Sequence, residues 1–384
     1  MTQRERVLET LLFGTPDRVP FNPGGGREST RERWHREGLP EDIPPHRIPQ
    51  YAFEQIGGSL PYSAGGGFGG GGRGFGINER MIPQFEEKVV EERENSRVVQ
   101  DWKGNVCEIG KEYTVEYLRN AIDFVTRRWI KCPVENWDEW EAMKERYDPE
   151  APERLPDNAA DLATELADRE HYVEFHFSGP FWQLREWLGF EELCVLFYDD
   201  PELIRDMVEF WTTFILRLLE RGFEYVVPDG LHFSEDMAYK CFSMISPEMV
   251  REFLMPAYRA WNDLAKSAGV PVRGVDSDGY VGELLPVYID AGFNMCDPFE
   301  VAAGNDIVAF REQFGQKMAF RGGVDKRAMA KGGEALRAEI ERVAPVVRSG
   351  GYIPGCDHGV PADVSWPNYL ETTRLLAQLC GWLS

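Results

Sequence analysis

From residue 171 onward, short apolar runs alternate with longer amphipathic ones. HYVEFHFSG (171–179), FEYVVPDGLHF (223–233), VPVRGVDSDG (270–279), FNMCDPF (293–299), KMAFRGGV (317–324) and GYIPGCD (351–357) read as strands. Helical patterns fill the intervals: FWQLREWLGFEELCVLFYD, PELIRDMVEFWTTFILRLLERG, SPEMVREFLMPAYRAWNDLAKSAG, GELLPVYIDAG, NDIVAFREQFG, GGEALRAEIERVAPVVRSG and WPNYLETTRLLAQL. The second has Pro201 in its first turn and Gly222 at its end, as start and stop signals require. A strand followed each time by a helix implies parallel strands joined by right-handed crossovers. A doubly wound α/β sheet and a (β/α)8 TIM-type barrel both fit. The barrel is preferred, with RVPFN (18–22), ahead of helical STRERWHREG, as its first strand. No second strand stands out within 50–130.

The first 150 residues break this rhythm. GGGFGGGGRGFG (65–76) lacks the GxxxxGK[ST] pattern and a strand-GxGxxG-helix context, so it reads as a loop or lid rather than a phosphate cradle. Arg73 within it is placed to meet an anionic ligand. Residues 85–117 alternate apolar and polar positions around Lys103-Gly104-Asn105, the pattern of a β-hairpin. The expected organisation is one barrel domain over 1–384, with the Gly-rich loop and hairpin at 57–120 inserted in it.

Composition narrows the function classes. In 384 residues, 65 acidic and 42 basic side chains leave a net charge of −23, which argues against nucleic acid and anionic membranes as partners. No apolar run of about 18 residues suggests a transmembrane helix. The opening MTQRERVLETLLFG is too charged for a signal peptide. Seven scattered cysteines without CxxC point to a reducing, cytoplasmic setting.

In a barrel, chemistry collects at the C-terminal strand ends. There lie Arg27, Ser178, Asp229, His232, Glu235, Asp236, Asp276, Asp278, Cys296, Asp297, Glu300, Arg321, Asp325, Cys356, Asp357 and His358. Asp276 and Asp278 alternate at one strand end, so two carboxylates can share a site and bind a cation. Cys356 and His358 offer a thiolate and an imidazole to a metal. His35, His46, His171 and His176 read as structural. Ser178 has no GxSxG context, which argues against a nucleophilic serine.

RERVLETLLFGTPDRVPFNPGG, ISPEMVREFLMPAYRAWNDLAKSAGVPV, DSDG, FRGGVDKRAM and GGYIPGCDHGVPADVSWPNYLE together resemble the uroporphyrinogen decarboxylase superfamily. The resemblance implies a single (α/β)8 barrel, a homodimer, and one of two chemistries. The first is cofactor-free decarboxylation of a small or tetrapyrrole acid, with arginines (27, 73, 321) binding carboxylates. Gly25-Gly26-Arg27 matches the Gly-Arg core of the decarboxylases' early segment, and His358 their late histidine. Their Phe-Ser-Asp-Ile aspartate has no counterpart. The second is zinc-dependent methyl transfer, in which the family's His-x-Cys corresponds to Asp276-x-Asp278 and its later Cys to Cys356.

Methyl transfer from a small methoxy compound is the expected activity. The resemblance implies zinc on Asp276, Asp278, Cys356 and His232, with Glu235, Asp236 and His358 as acid/base groups and Arg27, Arg73, Ser178 and Arg321 binding substrate. No Asp-x-His-x-x-Gly segment is present, so the corrinoid acceptor is expected on a partner protein.

Overall fold

The computed structural model describes residues 1–59, 75–120 and 125–384. It divides into a small antiparallel sheet and a large parallel one. The small sheet has four strands in the order β1-β2-β3-β4: β1 (Lys88–Glu92), β2 (Ser96–Gln100), β3 (Val106–Gly110) and β4 (Arg127–Lys131). The expected turn at Lys103-Gly104-Asn105 joins β2 to β3, with Asp101 accepting the Lys103 and Asn105 backbone N–H groups. A neighbouring strand on each side widens the expected hairpin.

The large sheet contains β5 (Glu174–Ser178), β6 (Gly230–Ser234), β7 (Val272–Asp276), β8 (Met295–Asp297), β9 (Ala319–Val324) and β10 (Tyr352–Cys356), all parallel and in sequence order. Each expected strand is there, shorter than its apolar run. The largest difference is at 223–233, where the helix Pro201–Phe223 runs on and pairing starts only at Gly230. The helix expected over 181–199 is two helices, Pro180–Leu188 and Phe190–Asp199, broken at Gly189. Pro256 lacks the N–H that would continue the ladder, and the turn Val250–Leu254 ahead of it is widened.

The sheet is strongly curved. Arg321 of β9 meets Glu174 of β5 at 3.3 Å. Four steps of about 4.8 Å would hold these strands about 19 Å apart in a flat sheet. The expected first strand pairs with the far edge, Asn22 opposite Gly355 of β10. Beside β5, Phe75 stacks on Phe175 and Glu79 binds Ser178, in the place of the missing second strand. Among the described residues no ladder closes the arc at that point.

Alternation along the strands sorts the two faces. Phe175, Phe177, Leu231, Phe233, Val275, Cys296, Phe320, Tyr352 and Cys356 join the main core under the helices. On the inner face, Tyr172, Val272, Met295, Ala319 and Ile353 form a separate apolar layer with Val7 and Leu11. These last two lie on α1 (Gln3–Leu11), whose start is fixed by a Thr2/Glu5 capping box. Burying each such side chain contributes about 1.5–3 kcal/mol, so α1 is a plug across the N-terminal ends of the strands. Among the described residues no helix is long and apolar enough to cross a membrane.

Candidate active site

Two to four residues further along the inner face, the apolar layer gives way to ionisable groups: Glu174 and His176 on β5, His232 on β6, Asp276 on β7, Asp297 on β8 and Arg321 on β9. Glycine makes room for them. A Cβ on Gly274 would lie 2.6 Å from Cδ2 of His232, so β7 can pass the imidazole only with glycine there.

One hydrogen-bonded chain links these groups. The His232 Nε2 atom lies 2.9 Å from Asp297 Oδ1, and its Nδ1 lies 3.1 Å from Nδ1 of His176. The His176 Nε2 atom lies 2.8 Å from Oγ of Ser234, which donates to Asp276 at 3.0 Å. The Arg321 guanidinium donates to Asp297 at 2.7 Å and to Glu174, which also accepts from the Tyr172 hydroxyl at 3.1 Å.

Charge follows from this packing. Burial alone would raise the Asp297 carboxyl, but Arg321 and His232 outweigh it and hold it at about 2. Enclosure by the surrounding groups of the inner face lowers His176 to about 4 although solvent still reaches part of its ring, and neighbouring His232 adds to that. Burial would lower His232 too, yet Asp297 raises it on balance. Burial pushes Asp276 up to about 7 against the pull of His232.

A second cluster sits at the C-terminal rim. The His358 Nε2 atom lies 2.9 Å from Asp278 Oδ2, and its Nδ1 lies 3.0 Å from the Arg27 guanidinium. An arginine only donates, so Nδ1 accepts and Nε2 carries the proton. The hydrogen bond to Asp278 raises the His358 pKa. Asp236 accepts the backbone N–H of Asp278 at 3.2 Å and sits at φ 43°, a left-handed backbone unusual for a non-glycine residue.

The other sequence-derived residues are placed as follows. Glu235 is fully buried and caps the helix Pro180–Leu188, accepting from Trp182 N–H at 3.0 Å and from the Tyr258 hydroxyl; burial raises it to about 8. Gly179 is needed there, because a Cβ would lie 2.1 Å from that carboxyl carbon. The Ser178 hydroxyl donates to Glu79 at 2.8 Å. Arg73 lies outside the described residues.

Of the expected metal set, His232 and Asp276 come together, while Asp278 and Cys356 do not join them. Cys356 is fully buried in the main apolar core, on the face opposite His232, and burial pushes its thiol far above the usual range. Asp278 is turned to His358. Among the described residues, two groups bring three donor atoms within 4.8 Å of one another: Glu174–His176–His232 and His232–Asp276–Asp297. Both draw on residues outside the expected set. Asp297 is one of the strand-end candidates, and Glu174 and His176 have a signal of their own: EFHFS alternates polar and apolar positions within a strand flanked by others. Glu79 had none, since no strand pattern surrounds it.

No family model matches the chain, and no curated protein matches it. Among solved structures it is similar to a methyltransferase from Methanosarcina mazei, at 13% identity and a TM-score of 0.56, over 98% of this chain and 99% of that one. A B12-independent methionine synthase from a Shewanella species aligns at 11% identity and a TM-score of 0.36, over 77% and 74% of the two chains. The first likeness extends along the whole chain and establishes a shared α/β architecture.

Proposed function

We propose that the protein is a methyl-transfer enzyme on a (β/α)8 barrel. It takes a methyl group from a small methoxy compound and passes it to a corrinoid on a partner protein. The observation that carries this reading is the convergence of imidazoles, carboxylates and a guanidinium from five neighbouring strands on one accessible inner face. The whole-length likeness to a methyltransferase structure supports it.

His232 belongs to both donor groups, so a zinc-type cation would be held through it and a carboxylate from an adjacent strand. Such a cation supplies Lewis acidity toward an ether oxygen. Arg27 and His358 at the rim orient the polar end of the substrate. The Nε2 proton of His358, held against Asp278, is the one available to the oxygen that loses its methyl. Decarboxylation is less well supported, because Arg321, its expected carboxylate binder, is already engaged by Asp297 and Glu174.

Incubation with free cob(I)alamin and a series of methoxybenzoates tests this reading. The expected products are methylcobalamin and the matching phenol. Release of CO₂ from carboxylic acids, with no methylcobalamin from any methoxy donor, would replace it with the lyase alternative.

A further inference from the structure

We infer that the inner face carries a divalent-metal seat built from Glu174, His176 and His232, separate from the strand-end residues Asp276, Asp278 and Cys356. Its ligand class is two imidazoles and one carboxylate, which suits zinc, iron(II) or cobalt(II) with positions left open. The inference stands whatever group the enzyme transfers.

The first observation is the meeting of the two histidines. Their rings stack at 4.9 Å and 25°, and the two Nδ1 atoms face each other at 3.1 Å. Two imidazole nitrogens on one cation, each bonded at about 2.1 Å, lie about 3.0–3.4 Å apart. A Glu174 oxygen completes a set within 4.8 Å.

The second observation is what stands behind each donor. The far nitrogen of His232 faces Asp297, and the far nitrogen of His176 faces Ser234, backed by Asp276. Glu174 is steadied by Tyr172 and Arg321. Metal-binding imidazoles are oriented in this way, through a carboxylate or hydroxyl on the other ring nitrogen.

The competing group, His232–Asp276–Asp297, is drawn from these same supports. Both Asp297 oxygens are tightly held, one by His232 at 2.9 Å and one by Arg321 at 2.7 Å, whereas Arg321 reaches the two Glu174 oxygens only at 3.3 and 3.5 Å. Both Asp276 oxygens are taken too, by Ser234 and by the Glu235 N–H. His176, by contrast, is the exposed position of β5, between the buried Phe175 and Phe177, so the seat opens onto the inner face.

Titrating chelator-stripped protein with Co²⁺, with visible absorption and equilibrium dialysis as readouts, tests the site. The expected result is one equivalent bound with no sulfur-to-cobalt charge-transfer band. His176→Ala should weaken binding by about a hundredfold or more, and Asp297→Asn by about 10–100-fold. Cys356→Ser and Asp278→Asn should stay within about twofold of wild type. His176 is accessible, so His176→Ala is the deciding variant, with its melting curve and circular dichroism as the fold check.

The site is overturned if the wild type binds neither Co²⁺ nor Zn²⁺. It is equally overturned if folded His176→Ala binds like wild type, or if a thiolate band appears and is lost in Cys356→Ser. Metal bound as expected, with no methyl transferred, would sink the proposed reaction and leave the seat standing.

Discussion

The inner face of the parallel sheet has two ends of opposite character, only two residues apart along β5, β8 and β9. Tyr172 precedes Glu174, Met295 precedes Asp297 and Ala319 precedes Arg321. The first of each pair packs against α1, and the second joins the ionic chain. The lesson is that one strand register serves two purposes. The apolar end gains free energy from burial, while the ionisable end is held together by mutual compensation and fails when one member is removed.

Three changes break or sharpen this contrast. Arg321→Met should have the largest effect. It leaves Glu174 and Asp297 with only the His232 imidazole as a counter-charge, and removing one partner from a buried ionic set costs about 3–5 kcal/mol. Urea unfolding of the variant measures it; a loss below about 1 kcal/mol would mean that water reaches these carboxylates freely.

The next effect depends on pH. Burial raises the Glu79 carboxyl to about 7, against the hydrogen bonds from Ser178. Its folded pKa is above its unfolded value of about 4.3. Its contribution is therefore complete below about pH 4 and is lost as pH climbs toward about 7, a decline on the order of 2–3 kcal/mol. Glu79→Gln should flatten that part of the stability–pH curve. An unchanged slope would place Glu79 in water.

The smallest effect belongs to the apolar end. Thr2→Ala removes the cap of α1 and should cost about 1 kcal/mol, with Co²⁺ binding untouched. A change in metal affinity would show that the plug and the ionic layer are mechanically coupled.

Much of the scaffold was legible because a strand–helix alternation survives small errors in its boundaries. His232 and Asp276 were found as candidates from strand ends alone. Cys356 was misleading for a local reason. Expecting it to share a side with His358 treated both as one strand, but β10 ends at Cys356 and its side chain falls on the helix side. His176 reads as structural in sequence because none of its sequence neighbours hints at its partner; His232 is 56 residues away, brought alongside by parallel register. Glu174 and Asp297 become interpretable only with Arg321, and that triad exists because the sheet curls. Curvature is a property of the assembled strands, and no single segment encodes it.

The α1 plug has a consequence for traffic. Among the described residues, α1 and its apolar layer fill the inner face on the N-terminal side of Glu174 and His176, which leaves the rim beside Arg27 and His358 as the opposite side from which a ligand can reach His176. Two reactants that share that side form a queue: a bulky second reactant at the rim detains the first product, and turnover then follows the order of departures.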